Sequence, residues 1–518
     1  SDENTTNDIA VRSAGMNRMR ATSSETSATS GFLGNTTIQR QNIEQVEFVA
    51  TSNYKTVSPK LSSYNVSASG NTSTVLKDTY GNNNGTVVGA TKNSSYFHFD
   101  GVNDWINLGR IDITDKVTLE ATISMQSLKS GEVTILGNPQ KGGINLCVTN
   151  GKPGFTLYNE TLGQWTGVYS STALTVGTKT TITGSFDGQT MYLWVNGVLV
   201  NSRSSVGKIK LPADETVMAI GNNPDGSHEG KTGWANMNLY SANIYNDAVW
   251  DVSEKKDSSI IAWSETNNSN GALKVSIASE SQIYANTNSD CLFIFIGSSE
   301  NCTETETIKN LNELHTTGVT SMRQMFWWTG YNAMTKFALG SNFDISSVKD
   351  MYSMFCLIGA KNMSSFSLGS NFDTSNVVNM QGMFWGIGRD KLTELSLGDK
   401  FNTSNVTNMH DMFCMAGYVA LKSLSLGDKF DTSNVTTMKY MFWSMGVEAM
   451  TSFDLGDKFY TSKVTDMENM FQNLGSAKMT SLDLGPAFTN IASTNTGMFV
   501  DTGKSGALVI HATESIFQ

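Results

Sequence analysis

Charge is scarce in this chain. Only 16% of its 518 residues are Asp, Glu, Lys or Arg, and the balance is acidic, with a net charge of −11. No basic run exists, which makes nucleic acid and anionic membranes poor partners. No stretch approaches 18 apolar residues, so no segment is suited to span a membrane as a helix. Proline is rare, at 6 residues, and so is histidine, at 5. The histidines (His98, His228, His315, His410, His511) are scattered. They offer no His-x-x-x-His pair and no Ser–His or Cys–His constellation for metal or nucleophilic chemistry. Five cysteines cannot frame a disulfide scaffold of this length. Cys291 and Cys302 flank an apolar run and are the one pair that could close across a turn, or both are free. Cys356 and Cys414 are expected to be buried free thiols, and Cys147 is left over.

What is abundant is repetition. Met322, Met351, Met380, Met409, Met438 and Met467 are each 29 positions apart, as are Val319, Val348, Val377, Val406, Val435 and Val464. A fixed period in this range means stacked units, each burying its apolar side against its neighbours. Leu424-x-Leu426 alternates as a short strand does, and Gly427 and Asp428 punctuate it. Val435, Met438, Met441 and Phe442 share one face of a helix, so the spacing predicts a strand followed by a short helix in each coil. Six such coils make a rod of roughly 29 Å. Methionine at fixed spacing could suggest a soft-metal array, but core packing is the expected role, because Met fills irregular gaps and a Phe follows each time.

The MF pairs, the apolar strand and FDTSNVT resemble the BspA-like leucine-rich-repeat family of bacterial surface proteins. Asn376, Asn405 and Asn434 in TSNV resemble its asparagine ladder, whose side chains bond the backbone of adjacent coils. Ser347 and Lys463 break it in the outer coils. In that family a segment like Ile38–Ala50 is followed closely by one like Trp250–Trp263. Here about 200 residues intervene, which implies an inserted domain.

The intervening part has its own pattern. Short strands and turns recur every 8–12 residues, and Met191–Val195, Asn196-Gly197 and Val198–Val200 read as a hairpin. Asp100-Gly-Val-Asn-Asp-Trp-Ile106, Val117–Ile123, Phe186-Asp-Gly188, Ala219-Ile-Gly221 and Asn243–Asn246 resemble laminin-G-like, concanavalin A-like lectin domains. The expected fold is therefore mainly β: a laminin-G-like sandwich plus a leucine-rich-repeat-like solenoid of 29-residue coils. The expected order is a low-complexity arm (1–36), disordered alone, and a cap strand (37–52). The lectin sandwich (53–249) and a solenoid cap (250–318) follow, the cap including a strand at Leu292–Ile296. Six repeats (319–486) and a closing cap (487–518) complete it.

Concanavalin A-like glycanases resemble a strand carrying Glu-x-Asp-x-x-Glu, since two carboxylates must flank the glycosidic bond. The comparable strand here has Glu120 alone, so the expectation is no enzymatic activity. Laminin-G-like domains often hold calcium, and the resemblance points to Asp78 in DTYGNNNG and Asp100 in FDG. Turn chemistry explains the same residues. The residue after each Met-Phe pair runs Trp327, Cys356, Trp385, Cys414, Trp443, Gln472. Large and small alternate, which suits interior packing, and Trp327, Trp385 and Trp443 also suit a partly exposed recognition stripe.

The functional expectation is a secreted or bacterial cell-surface binding protein, adhesin-like, for glycan or a host or neighbour-cell protein. Its rival is a structural subunit of a surface filament, with residues 1–36 engaging a neighbouring subunit. Ser1 in place of Met is as expected of a chain whose export signal has been removed. Glu514–Gln518 carries no LPxTG-type sorting motif, so attachment is expected to need another partner.

Overall fold

The computed structural model describes residues 16–140, 142–212, 216–223 and 233–516. They fall into two compact units. One contains residues 52–251 and 256–263, the other the described parts of 1–51, 252–255 and 264–518.

The first unit is a sandwich of two eight-stranded antiparallel sheets. Its centre is strand Val117–Met125, paired with Thr180–Phe186 on one side and Asn236–Tyr245 on the other. Period two decides its faces: Leu119, Ala121 and Ile123 are fully buried in the core. The facing sheet contributes Leu146, Phe155 and Leu157 to the same core, likewise fully buried. The expected hairpin is present. Val195 pairs with Val198, and the two turn residues take left-handed backbone, Asn196 at φ 50° and Gly197 at φ 68°. Both central residues of a type I′ turn need φ above zero, which Asn-Gly supplies at least cost.

The second unit is a stack of coils. Parallel pairs join Lys336–Ala338 to Ser365–Ser367, Glu394–Ser396 to Ser423–Ser425, and Ser452–Asp454 to Ser481–Asp483. A column of parallel bridges runs from Asn288 through Ser321, Asp350, Asn379, Asn408, Thr437 and Asp466 to Thr494. The repeated Met-Phe pairs lie inside, with Met322, Met351, Met380, Met409, Met438 and Met467 fully buried. Phenylalanines stack face to face along the axis, Phe293 on Phe326 and onward through Phe355, Phe384, Phe413, Phe442 and Phe471 to Phe499, at 5.3–5.7 Å.

The expected helix in each coil is absent among the described residues. In its place the amides alternate. The N–H groups of Met438, Tyr440, Phe442 and Ser444 donate to Asp466, Glu468, Met470 and Gln472 of the next coil, while Met441 and Trp443 donate three residues back. Tyr440 and Ser444 take left-handed φ of 55° and 54° to make this possible. A helix would satisfy its own amides, whereas this path spends half of them on cohesion between coils. Leu292–Ile296 is not a strand either. Cys291, Phe293 and Phe295 donate to Arg323, Met325 and Trp327 in the same way, so this run is one more coil.

Asn376, Asn405 and Asn434 do reach the preceding coil, donating to Ser346, Ser375 and Ser404 carbonyls at 2.7–2.8 Å. They lie at the surface or close to it. The buried ladder is threonine instead: Thr374, Thr403 and Thr432 each donate to a carbonyl of the next coil at 2.6–2.8 Å.

Of the arm expected to be disordered alone, residues 1–15 lie outside the described residues. Residues 16–36 are folded into the coil unit, with Met19, Phe32 and Leu33 fully buried. The buried Arg18 guanidinium donates to the Ala285 and Thr317 carbonyls. Just beyond the arm, Arg40 donates to the Cys291 and Leu292 carbonyls and pairs with Glu25. Ile43–Phe48 pairs in parallel with Leu273–Ala278 and with Ile308–Lys309, which closes that end of the stack. All five cysteines are buried free thiols, so Cys291 and Cys302 do not pair.

Candidate functional site

The Met-x-x-Met-Phe turn of each coil leaves its flanking side chains outside. Trp327, Trp385 and Trp443 are all half-buried. Trp327 and Trp385 sit two coils apart, about 10 Å at strand spacing, and Cys356 lies between them in register. Indoles on every coil would collide, so the small thiol lets each ring lie over its neighbour. The Trp385 indole N–H donates to Cys414 Sγ at 2.6 Å. Burial pushes the Cys356 and Cys414 thiols well above the ordinary range, so both stay neutral.

Trp327 and Trp385 line a groove of about 230 Å³ together with Gln324, Tyr352, Gln381 and Asp411. Two aromatic faces, two amides, a phenol and a carboxylate converge on one shallow surface. The Arg323 guanidinium stacks over the Tyr352 ring at 4.6 Å and pairs with Asp350 at 2.7 Å, which holds the phenol in place. Trp443 is not part of this groove. It packs edge-on against Tyr440 with ring centroids 6.0 Å apart. The structure thus brings two of the three tryptophans together.

The polar lining escaped the sequence reading, though a signal was there. Arg323, Tyr352, Gln381, His410, Lys439 and Glu468 occupy one register position in successive coils. A position that changes in every repeat while Met and Phe beside it stay fixed is one not held by packing.

In the sandwich, Asp78 and Asp100 do not form one site. Asp100 pairs with Asn236, while Asp78 bridges to Tyr64, which pairs with Ala242. Six positions along one strand separate the two by about 20 Å. The Asp78 carboxylate is buried and accepts N–H bonds from Ser63, Tyr80, Gly81 and Asn83 at 2.9–3.1 Å. It caps its own loop, and a cation there would face N–H donors. Asp100 is exposed, and its Oδ1 accepts from Val102 N–H at 2.7 Å. No cluster of three His, Cys, Asp or Glu suited to a metal occurs among the described residues. These residues do not fit a shared calcium ion. The Glu120 carboxylate is buried and accepts from Thr183 at 3.0 Å, Asn243 at 2.9 Å and Ser258 at 2.6 Å.

Residues 100–251 match a laminin G family described as the concanavalin A-like lectin/glucanases superfamily. The chain carries a concanavalin A-like lectin/glucanase domain. Residues 295–413 and 389–504 match a family described as a Mycoplasma protein of unknown function. No curated protein matches the chain. Among solved structures, the receptor binding domain of botulinum neurotoxin C/D mosaic serotype is 19% identical over 37% of this chain and 48% of its own, with a TM-score of 0.29. Trypanosoma rangeli sialidase in complex with sialic acid is 15% identical over 37% of this chain and 31% of its own, at 0.26. Domain 4 of an extracellular arabinanase from Geobacillus stearothermophilus, in complex with arabinotriose, is 18% identical over 38% of this chain and 97% of its own, at 0.30. The chain spans about half the length of the neurotoxin domain it matches. No helix among the described residues is long and apolar enough to cross a membrane.

Proposed function

We propose that this is a non-catalytic, adhesin-like binding protein, secreted or displayed on a bacterial cell surface, which recognises glycan through the Trp327–Trp385 groove. The observation that carries the reading is the convergence of two half-exposed indoles with Gln324, Gln381 and Asp411. Indole faces accept the C–H face of a pyranose, and amides and a carboxylate match its hydroxyls. The lectin/glucanase domain elsewhere in the chain supports a carbohydrate ligand. A binding role is favoured over hydrolysis because Glu120 is already committed to three side-chain donors. In this reading the coils are a BspA-type leucine-rich-repeat solenoid, and residues 53–249 are a domain inserted into its cap.

Glycan-array screening of the full chain, followed by calorimetric titration of the best ligand, tests this. Trp385→Ala and Gln381→Ala should each weaken binding by about tenfold or more, with the melting temperature nearly unchanged. Trp443→Ala should leave affinity close to wild type. Intact binding in Trp385→Ala would overturn the assignment.

A further inference from the structure

The outer face of the second sandwich sheet carries an aromatic platform that the groove does not involve. In strand Lys152–Asn159, Phe155 and Leu157 point into the core, so Gly154, Thr156 and Tyr158 lie on the opposite face. Pairing with Gln164–Tyr169 sets Tyr169 opposite Gly154, Gly167 opposite Thr156 and Trp165 opposite Tyr158.

The Tyr169 ring rests flat on glycine. A Cβ at Gly154 would lie 2.5 Å from Tyr169 Cδ1, and one at Gly167 would lie 2.9 Å from Cε2. Glycine weakens a strand interior, and its presence there marks close approach of another group. One ring face is therefore pressed on the sheet and the other faces water, with the residue 39% exposed. Trp165 is 42% exposed and packs edge-on against Tyr158, centroids 5.7 Å apart. Trp165 and Tyr169 are four positions apart on one strand, about 13 Å, and the glycine between them, Gly167, is covered by the Tyr169 ring and Thr156.

The platform is held rigidly and rimmed with polar groups. Asn201 donates to the Tyr169 carbonyl at 2.8 Å and Arg203 to the Gly167 carbonyl at 3.0 Å, which fixes the edge strand. The exposed Glu132 carboxylate accepts from Asn145 at 2.8 Å. Burial, with Cys147 and Glu132 nearby, pushes the Tyr169 phenol up to about 12, so it remains a neutral hydroxyl that can donate and accept.

We propose that Tyr169 and Trp165 form a second glycan site, on the sandwich, for the neutral pyranose units of an oligosaccharide. A pyranose turns a flat array of C–H hydrogens toward an aromatic ring, where their partial positive charge meets the negative π face. Its equatorial hydroxyls then lie in the plane of the rim, within the chemistry of Glu132 and the Tyr169 hydroxyl. Glu132 disfavours acidic sugars at this place. The site shares the glycan reading given above but lies in the other unit, so the two can fail separately.

The test uses the full chain carrying Trp327→Ala and Trp385→Ala, which disables the groove. Neutral hexasaccharides of glucose, mannose, galactose and N-acetylglucosamine are titrated calorimetrically. At least one should still bind. Adding Tyr169→Ala or Trp165→Ala should cut its affinity at least tenfold, and Tyr169→Phe should retain it. Gly154→Ala, which lifts the ring by one methyl, should weaken binding in a chain that keeps both aromatics, with folding checked by thermal melting. Failure of all four sugars to bind, or binding that survives Tyr169→Ala and Trp165→Ala, would overturn the proposal. Wild-type affinity in the groove variants of the otherwise intact chain would count against the groove alone.

Discussion

Thr403 and Asp431, in adjacent coils, bond each other twice. The threonine hydroxyl donates to the Asp431 carbonyl at 2.8 Å, and the Asp431 N–H donates back to the hydroxyl oxygen of Thr403 at 2.7 Å. Thr403→Val keeps the shape and removes both bonds, stranding peptide groups between coils. The expected loss is about 1–3 kcal/mol. Asn405→Ala, which removes one exposed bond, should cost about 0.5–1 kcal/mol. Urea denaturation followed by near-ultraviolet dichroism compares the two, and a costlier Asn405→Ala would reverse the ranking.

Arg40 is fully buried, with its charge matched by Glu25 and by main-chain carbonyls of the first coil. Arg40→Ala leaves those acceptors without donors and opens a cavity. A loss of about 3–5 kcal/mol is expected. Limited proteolysis should show cleavage within residues 16–42 before any cut in the repeats, and wild-type resistance there would show that the arm is held otherwise.

Glu44 gives the coil unit an acid limb. Burial alone would raise its carboxyl. Hydrogen bonds from Asn267, Thr303 and Asn270, with Lys274 nearby, outweigh that and hold it below its ordinary 4.5. A depressed carboxyl contributes stability that is complete above the ordinary value and is lost as pH falls through the folded one. Wild-type melting temperature should therefore drop on acidification below about pH 4.5, and Glu44→Gln should flatten that part of the profile. Parallel wild-type and variant curves would assign the acid limb to other groups.

Asp78 is expected to act as a loop cap with no calcium. Addition of a chelator should leave the melting temperature unchanged, whereas Asp78→Ala should destabilise the sandwich by about 2–3 kcal/mol by leaving backbone N–H groups unpaired. A chelator-dependent melting shift would restore the metal.

The period of the coils was legible because Met, Phe and Val recur where side chains point inward. The path between those residues was not. Val435, Met438, Met441 and Phe442 satisfy helical spacing, yet the choice between helix and turn rests on where the amides bond, and the acceptors of Met438 and Phe442 lie 28 residues away. Leu292–Ile296 misled for the same reason, since a short apolar run looks alike in a strand and in a buried turn. The polar composition of residues 16–36 hid Met19, Phe32 and Leu33, few in number but placed on the end of the stack. At the candidate groove, Trp327 and Trp385 could be singled out by their alternation with Cys356 and Cys414. Gln381 stands at the register position that changes from coil to coil, but nothing in the local sequence says that a turn will present Gln324 and Asp411 beside it.

The alternating amides make each coil depend on the one that follows it. Each coil donates forward: Met322 to Asp350, Met351 to Asn379, Met380 to Asn408. During synthesis a coil that has just emerged holds N–H groups whose acceptors have not yet been made. Those amides are satisfied only with the following coil in place, while others, such as those of Val378, Thr407 and Thr436, donate to the coil before. Arg18 and Arg40 likewise donate to carbonyls 251–267 residues further on, at Ala285, Cys291 and Leu292. Sealing that end of the stack therefore requires segments that lie far apart in the sequence.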